Sequence, residues 1–246
     1  MSTVAGVIPA RLASTRLKGK VLLPIHGAPM IHHVYTRAQQ CKNLDSLIIA
    51  TDAVEVLEVC RTYGDAVVMT SSEHQSGTDR VAEVASTLNA DIVVNIQGDE
   101  PELDPDLVDS LVDFMLDHPE LPMGTVGSTA LNDDDLENSA IVKVVGKGGR
   151  AVGFYRQRPS AIEQMKVLRH IGLYAYRSDF LQEFTQLART GGELEHKLEQ
   201  LRALESGIHI GLVETDYQAV AVDTADDLEH VIENWCGEGI AIDEKT

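Results

Sequence analysis

Short apolar runs alternate with amphipathic stretches through the first half of the chain, and this alternation restricts the fold more than any other feature. We predict buried strands at four apolar runs, residues 4–8, 47–50, 66–69 and 92–96. Apolar residues at helical spacing predict helices between these strands, at residues 29–41, 54–59 and 81–88. Continuous apolar strands that alternate with helices indicate an α/β fold, with a Rossmann-like, doubly wound and mostly parallel sheet.

The second half of the chain is less regular and predicts a smaller β-rich insertion. Glycine-rich residues 146–149 separate two apolar runs, 141–145 and 151–155, which is typical of a β-hairpin. The other predicted elements are a strand at 170–176, helices at 178–188 and 193–206, strands at 208–213 and 219–222, and a last helix from 223 to about 236.

The distribution of charge indicates a site for a small anion. The net charge is -19, which argues against nucleic acid or an anionic membrane as a partner. Residues 1–44 nevertheless contain no Asp or Glu and six basic residues, four of them within residues 11–20. An acidic chain that keeps its first segment free of carboxylates is expected to bind an anion there, although a solvated basic face is the simpler alternative.

The cysteines and the apolar runs indicate a cytoplasmic chain. Cys41, Cys60 and Cys236 are far apart and form no C-x-x-C pair, so we expect neither a zinc cage nor a disulfide framework, but reduced thiols. The first residues lack the features of a signal peptide, and no apolar run is long enough to span a bilayer. We therefore expect no membrane insertion.

The loop after the first strand has the composition of a phosphate-binding segment. Residues 9–20 combine small residues and hydroxyls with four cations, which suits a triphosphate because backbone N–H groups, hydroxyls and cations all bind phosphate oxygens. The G-x-x-x-x-G-K-[ST] spacing of a Walker A loop is absent. The G-x-G-x-x-G turn is absent too, which argues against a Rossmann dehydrogenase.

Other polar clusters also follow predicted strands. Thr51 and Asp52 come after the second strand, residues 74–80 after the third and residues 97–100 after the fourth. Ligands of open α/β sheets bind at the carboxyl ends of the strands, so we expect these clusters to form one site with the basic loop.

Seven sequence blocks follow one another over roughly residues 4–232. They are R-x-x-S-T-R-L-x-G-K at 11–20, A-T-D at 50–52, H-Q-S-G-T-D-R at 74–80, N-I-Q-G-D-E-P at 95–101, R-H-I-G-L-Y-A-Y at 169–176, L-E-Q-L-R at 198–202 and V-D-T-A-D-D-L at 222–228. In sequence and in order these blocks resemble the 3-deoxy-manno-octulosonate cytidylyltransferase (CMP-Kdo synthetase) family. The resemblance implies a nucleotide-diphospho-sugar transferase fold and a magnesium-dependent enzyme. That enzyme would join CTP to Kdo and release pyrophosphate, for lipopolysaccharide or capsule synthesis.

The resemblance also implies how the chain is organised. We expect one nucleotidyltransferase domain, residues 1–246, with a nucleotide-binding half at 1–130 and a tail at 237–246. Residues 131–236 would bind the sugar and form the interface of a homodimer.

The resemblance assigns nucleotide and metal roles by position. Arg11, Ser14, Arg16 and Lys20 match the loop that holds the CTP phosphates, with Lys20, Arg11 and Asp99 as the catalytic residues. The positions that match the nucleotide pocket are Thr51, Asp52, Gln75, Ser76, Arg80 and Gln97. Asp99 and Asp223 match a pair that binds Mg²⁺, an ion that prefers few carboxylates, waters and phosphate oxygens. Helix capping is the alternative role for Ser76 and for Asp223.

The sugar-side residues are implied by the resemblance alone. The matching positions are His170, Tyr174, Glu199 and Gln200, with either Arg156 or Arg158 for the sugar carboxylate. Without the resemblance, His170 would be interpreted as a core residue and Glu199 as an exposed helix charge. Lys18 stands where the family usually has Pro, and the loop before Arg169 is short. The sugar acid could therefore be 8-amino-Kdo or a nonulosonic acid, and an inactive nucleotide-binding paralogue is a further alternative.

Overall fold

The computed structural model describes residues 2–12, 17–159, 165–218 and 220–235. Within these ranges the chain has a mixed α/β structure, so the predicted fold class is confirmed at that level. The chain divides into two compact units. We call residues 5–88, 95–105 and 219–246 the loop unit, and residues 1–4, 89–94 and 106–218 the hairpin unit.

Eleven strands lie within the described ranges. In chain order they are β1 (Val4–Ala10), β2 (Pro24–Ile25), β3 (Ala28–Pro29), β4 (Ser46–Thr51), β5 (Val67–Met69), β6 (Ile92–Asn95), β7 (Met123–Ser128), β8 (Lys143–Lys147), β9 (Arg150–Tyr155), β10 (Lys166–Arg177) and β11 (Ile210–Thr215).

Nine α-helices lie in the same ranges, together with a short 3₁₀ helix at Lys20–Leu22. The helices are α1 (Met30–Ala38), α2 (Val54–Thr62), α3 (Gly77–Ala85), α4 (Pro105–Asp117), α5 (Asp133–Glu137), α6 (Ser178–Gln186), α7 (Gly191–His196), α8 (Leu201–Glu205) and α9 (Ala225–Glu233). The described part of the chain holds no helix that is both long enough and apolar enough to cross a membrane.

The loop unit is built on parallel strands. Strand β4 pairs in parallel with β1 on one side and with β5 on the other, as the sequence predicted. Apolar side chains of β1 and β4 are buried, with Val7 and Ile49 both fully inaccessible, whereas Val68 and Met69 of β5 are exposed. Polar residues that follow the strands are thereby brought to the same edge of the unit.

The hairpin unit contains both parallel and antiparallel pairs. Strands run in the order β6-β10-β7-β11-β9-β8, and the first part of β10 pairs with β8 while the rest pairs with β7. Strands β7 and β11 are parallel, whereas β8 and β9 form the predicted hairpin. Its turn consists of Gly148 and Gly149, which have φ values of 58° and 72°. These left-handed values explain why glycine occupies both positions.

Two predicted elements were wrong. The helix predicted at 193–206 is divided into α7 and α8, because Lys197 has a left-handed φ of 54° that ends the first helix. The strand predicted at 219–222 is absent from residues 220–222. There the backbone N–H of Val222 donates to the carbonyl of Asp99, and the Val222 carbonyl accepts from Lys20 Nζ, so these groups serve the site described below.

Helix α4 and strand β7 were not predicted, and neither were the short elements β2, β3 and α5. Helix α4 has a clear helical spacing of buried residues, including Leu107, Leu111 and Met115. Strand β7 gives a weaker signal because it contains two glycines, and glycine is depleted in strands. A side chain at Gly127 would place its Cβ 2.9 Å from atoms of Leu168, so close packing explains one of them.

Candidate active site

A lysine and two aspartates meet in the loop unit. Lys20 Nζ lies 2.5 Å from Asp99 Oδ2 and 2.9 Å from Asp223 Oδ1, and it also donates to the carbonyl of Val222 at 3.1 Å. The side chain of Lys20 is only 13% exposed. Two carboxylates and a carbonyl therefore surround one cation in a partly buried site.

The local backbone places these three side chains. Gly19 has a φ of 66° and donates its N–H to the carbonyl of Leu12 at 3.2 Å, which closes the basic loop just before Lys20. On the other side, the N–H of Val222 donates to the carbonyl of Asp99 at 2.9 Å, so the two aspartate-bearing segments are joined by a main-chain bond. Val222 is fully buried in a cluster with Ile25 and Met30, which anchors the Asp223 segment.

Asp223 is not the helix cap that the alternative interpretation required. Helix α9 is capped by Thr224, whose side chain accepts from the N–H of Asp227, while the Asp227 carboxylate bonds back to the N–H of Thr224. The carboxylate of Asp223 is thus left to pair with Lys20. At Ser76 the capping interpretation is confirmed, because its side chain caps α3 in a capping box with Asp79.

The environment of Lys20 keeps its ammonium charged. Burial by itself lowers the pKa of Lys20, but the charges and hydrogen bonds of Asp99 and Asp223 outweigh it and raise the pKa above its ordinary value. The centre therefore holds one permanent positive charge between two carboxylates.

The chemistry of the two aspartates fits a divalent cation. Their carboxylates already converge on one positive charge, so Lys20 marks the position of a cation between them. Among the described residues, no group of three or more His, Cys, Asp and Glu side chains gathers as a metal cage would. A pair of carboxylates is the donor set expected for Mg²⁺, which keeps waters and phosphate oxygens in its shell.

A cavity of about 220 Å³ in the loop unit adjoins this centre. It brings together three of the predicted residues, Arg11, Gln97 and Asp99. Its other lining residues are Pro9, Val21, Gly77 and Gly98. A Cβ at Gly98 would lie 2.9 Å from the carbonyl oxygen of Pro9, so only glycine permits this approach of the two segments.

Arg80 is held inside the loop unit by its own partners. It is fully buried, donates to Asp52 Oδ2 at 2.7 Å and bonds to the hydroxyl of Thr70. Thr70 in turn donates to the carbonyl of Thr51 at 3.0 Å, so three strand-end residues form one network. Gln75 reaches the site through its backbone, whose carbonyl accepts from Arg11 at 3.3 Å. Ser14 and Arg16 lie outside the described residues.

Two predicted sugar-side residues lie on β10 in the hairpin unit. His170 Nε2 is 3.1 Å from the hydroxyl of Thr125, and its ring packs edge-on against Phe154 and against the ring of Tyr174. Burial lowers the pKa of His170 to about 3, so the imidazole is neutral at physiological pH. Burial also raises the pKa of Tyr174, and the nearby charges of Tyr176 and Glu199 raise it further.

The structure therefore brings the rings of His170 and Tyr174 together, and the charge of Glu199 acts on Tyr174. Gln200 follows directly in the connection between α7 and α8 and is buried. All four were indicated by the resemblance, whereas the sequence alone indicated a core histidine and a surface charge. Thr125 and Phe154 also belong to this cluster and were missed, because β7 was not predicted and Phe154 reads as an ordinary hairpin residue.

The two candidate arginines have different partners. Arg156 donates from all of its nitrogens to backbone carbonyls, Nε to His196 at 2.7 Å, and the other two to Ser139 and Lys197 at 3.2 Å each. Arg158 is about half exposed and pairs with the exposed carboxylates of Glu137 and Asp133. Both arginines line a cavity of about 650 Å³ whose other lining residues are Ser139, Phe154, Tyr155, Gln157, Pro159, Glu195, His196 and Lys197.

Comparison with known proteins shows the protein family to which the chain belongs. The cytidylyltransferase family model matches residues 5–210. The chain belongs to the cytidylyltransferase family.

Individual relatives show which cytidylyltransferases the chain is similar to. The 3-deoxy-manno-octulosonate cytidylyltransferase of Pelobacter propionicus is 44% identical over 240 residues, which cover 92% of this chain and 94% of the relative. A solved structure of CMP:2-keto-3-deoxy-manno-octonic acid synthetase complexed with CTP is 40% identical, with a TM-score of 0.89 and coverage of 94% of this chain and 98% of the other. A cytidylyltransferase from Leptospira borgpetersenii shares the fold alone, at 17% identity and a TM-score of 0.65 over 98% of this chain and 90% of its own.

Proposed function

We propose that this chain transfers the cytidylyl group of CTP to 3-deoxy-manno-octulosonic acid, Kdo, and releases pyrophosphate. The observation that carries the proposal is the convergence of Lys20, Asp99 and Asp223 beside a cavity lined by Arg11 and Gln97. A relative of 40% identity is complexed with CTP, and its substrate is the same sugar acid that names the curated relatives.

The loop unit would bind the nucleotide. Arg11 and Lys20 carry the positive charge that the phosphates need, and Ser14 and Arg16 belong to the same loop. Gln97 lines the same cavity, and its amide has both a donor and an acceptor, as the edge of cytosine requires. The buried side of the base pocket would be formed by Arg80, Asp52 and Thr51. Arg80 is held in place there by its hydrogen bonds to Asp52 and Thr70. Ser76 would reach the base while it caps α3.

Asp99 and Asp223 would hold Mg²⁺. When bound, the ion would polarise the α-phosphate and neutralise charge as pyrophosphate leaves. Lys20 would then pass from the carboxylates to the phosphates, where its ammonium stabilises the charge that develops during the transfer. Because both carboxylates are exposed in part, 24% for Asp99 and 37% for Asp223, they are accessible for this exchange of partners.

The hairpin unit would bind the acidic sugar. A neutral His170 can both donate and accept, and Tyr174 keeps its phenolic proton because burial raises its pKa. Glu199 and Gln200 supply further groups for hydroxyls. We assign the sugar carboxylate to Arg158, because its present partners are exposed side chains that a ligand can replace, whereas Arg156 is engaged with three carbonyls.

The chemistry would need no covalent intermediate on the protein. The anomeric hydroxyl of the sugar attacks the α-phosphorus in line with the leaving pyrophosphate, and the cations hold the reacting groups in place. Catalysis would thus come from alignment and from charge stabilisation by Lys20 and Arg11.

Substrate specificity provides the test. Pyrophosphate release should be measured with CTP and, separately, Kdo, 8-amino-Kdo and neuraminic acid. We expect kcat/KM for Kdo to exceed the other two by about tenfold or more, since a site built for a hydroxyl rejects analogues that change it. Binding of CTP without turnover on any of the three acids would instead indicate an inactive paralogue.

Several wider properties belong to the same proposal. They are a doubly wound, nucleotide-diphospho-sugar transferase fold, a single domain divided near residue 130, a homodimer formed by residues 131–236, a cytoplasmic location and a role in lipopolysaccharide or capsule synthesis. The parallel pairing of β1, β4 and β5 supports the fold, and the buried thiols of Cys41 and Cys60 agree with a reducing compartment. Sedimentation of the full chain would test the dimer.

A further inference from the structure

We propose that Lys143 and Arg156 are positioning residues that hold the connection between α7 and α8 in the conformation that binds the acidic sugar. The connection, residues 197–200, includes Glu199 and Gln200. The inference rests on the proposed function for its ligand, but the contacts that support it belong to the hairpin unit itself.

Lys143 is a fully buried cation. It lies on β8 with no exposed surface, and its Nζ donates to the carbonyl of Asn138 at 2.7 Å and to the carbonyl of Arg156 at 2.9 Å. Burial lowers the pKa of Lys143, although the negative charges of Glu137 and Asp135 act in the opposite direction. Burying an ammonium group is costly even when carbonyls accept its hydrogen bonds. A core position of β8 would be more simply filled by an apolar residue.

Arg156 links the segment held by Lys143 to the connection between α7 and α8. Lys143 fixes the backbone of Arg156, and the side chain of Arg156 then donates to the carbonyls of His196 and Lys197. Its remaining nitrogen donates to the carbonyl of Ser139, the residue next to Asn138, whose carbonyl accepts from Lys143. A planar guanidinium with three such bonds allows few other arrangements of these segments.

The bonds from Arg156 fall where the connection changes direction. Lys197 has a φ of 54°, an uncommon value for a residue with a side chain. On either side, α7 and α8 are tied together by the buried pair of Glu193 and Arg202, with contacts of 2.6 and 2.8 Å. The ends of the connection are therefore fixed independently, and Arg156 fixes its turn. Glu199, whose charge acts on Tyr174, is two residues further on, so a change at Lys197 would move its carboxylate.

The kinetic test uses Lys143→Met, which keeps the length of the side chain and its apolar burial while deleting the ammonium. We expect KM for Kdo to rise by about tenfold, with KM for CTP within about twofold of the wild type, because the loop unit is untouched. Lys166→Met is the matched control. Lys166 lies on β10 in the same unit, is exposed and pairs with Glu214, so its removal should leave both KM values unchanged.

Arg156→Lys provides a second variant that keeps the charge but removes the forked donor. It should raise KM for Kdo in the same way, and it carries the test if Lys143→Met fails to fold. Equal rises in both KM values, or a lower Tm with an unchanged KM for Kdo, would overturn the proposal, since a merely structural role predicts either result.

Hydrogen exchange separates this inference from the proposed function because it needs no substrate. In Lys143→Met and Arg156→Lys, amides of residues 197–200 should exchange about tenfold faster or more, while those of α4 keep their rates. Unchanged exchange at 197–200 would refute the positioning role, whatever the enzyme does. Faster exchange in the two variants, together with a wild-type protein that does not use Kdo, would uphold the positioning role and reject the sugar.

Discussion

Lys20 Nζ and Asp99 Oδ2 form an ion pair of 2.5 Å, and Asp223 approaches the same nitrogen from the other side at 2.9 Å. The residue expected to meet the phosphates is thus in contact with both residues expected to hold the metal. Nucleotide and Mg²⁺ would have to bind together, because phosphates that attract Lys20 also release its two carboxylates.

The role of Asp99 is tested by Asp99→Asn. The substitution keeps the size of the side chain but removes the charge that faces the cation site. We expect turnover to fall by well over about tenfold in pyrophosphate release assays, while circular dichroism shows the fold preserved. Near-normal rates at saturating Mg²⁺ would remove Asp99 from the metal site.

Lys20→Met should change metal binding in the absence of nucleotide. Without the ammonium, Asp99 and Asp223 lose their counter-charge and become available to a divalent ion. Titration with Mn²⁺, followed by electron paramagnetic resonance, should show binding about tenfold tighter or more than in the wild type. Lys18→Met, at an exposed position of the same loop, is the control and should bind Mn²⁺ as the wild type does. Equal affinity in all three proteins would contradict the assignment of Asp99 and Asp223.

The buried pair of Arg202 and Glu193 should dominate a stability measurement. Arg202→Met leaves the carboxylate of Glu193 buried without its main partner, and the free energy of unfolding in urea should fall by about 3–5 kcal/mol. Adding Glu193→Leu to this variant should restore much of the loss, because no uncompensated charge remains. A double variant as unstable as the single one would show that packing, rather than charge, is responsible.

The same pair makes stability depend on pH. The Arg202 hydrogen bonds lower the pKa of Glu193 in the folded chain, so the folded state binds fewer protons than the unfolded state near the ordinary carboxyl pKa. The contribution is therefore complete at neutral pH and is lost as the pH falls below about 4. Urea midpoints between neutral and acid pH should fall less in the double variant than in the wild type.

His170 should stay neutral under conditions that protonate an ordinary histidine. Its pKa is lowered to about 3 by burial, whereas the unfolded value is about 6.5. Imidazole NMR signals, assigned with His170→Asn, should not titrate between about pH 5 and 8. Because the unfolded state binds the extra proton, this contribution to stability is full above the unfolded pKa and declines as the pH falls below it. A midpoint near 6.5 would contradict the buried setting and the neutral role at the sugar.

Local patterns predicted those elements whose causes lie in their own residues. The apolar runs of β1, β4 and β6 and the glycine turn of the hairpin were read directly from the sequence. The break at Lys197 was not, because its carbonyl is bound by Arg156, which is distant in sequence. The strand predicted at 219–222 was wrong for the same reason, since the backbone N–H and carbonyl of Val222 form hydrogen bonds with Asp99 and Lys20.

Positions at strand ends predicted one site formed by the basic loop and the polar clusters, but only the resemblance indicated the sugar-side residues. Asp99 and Asp223 each follow a predicted strand, but the strand predicted at 219–222 is absent from residues 220–222, so Asp223 reaches the site through other contacts. Lys143 gave no signal at all, since a lysine within an apolar run on an expected hairpin reads as a solvent-facing residue. Its burial follows from packing against segments far along the chain.

Titration calorimetry of the full chain with CTP in the presence of Mg²⁺ tests the central claim most directly. We expect saturable uptake of CTP that weakens by about tenfold or more in Lys20→Met, because the triphosphate loses a cation that faces it. If the well-folded wild-type protein takes up no CTP, the nucleotide site and the function built on it are wrong.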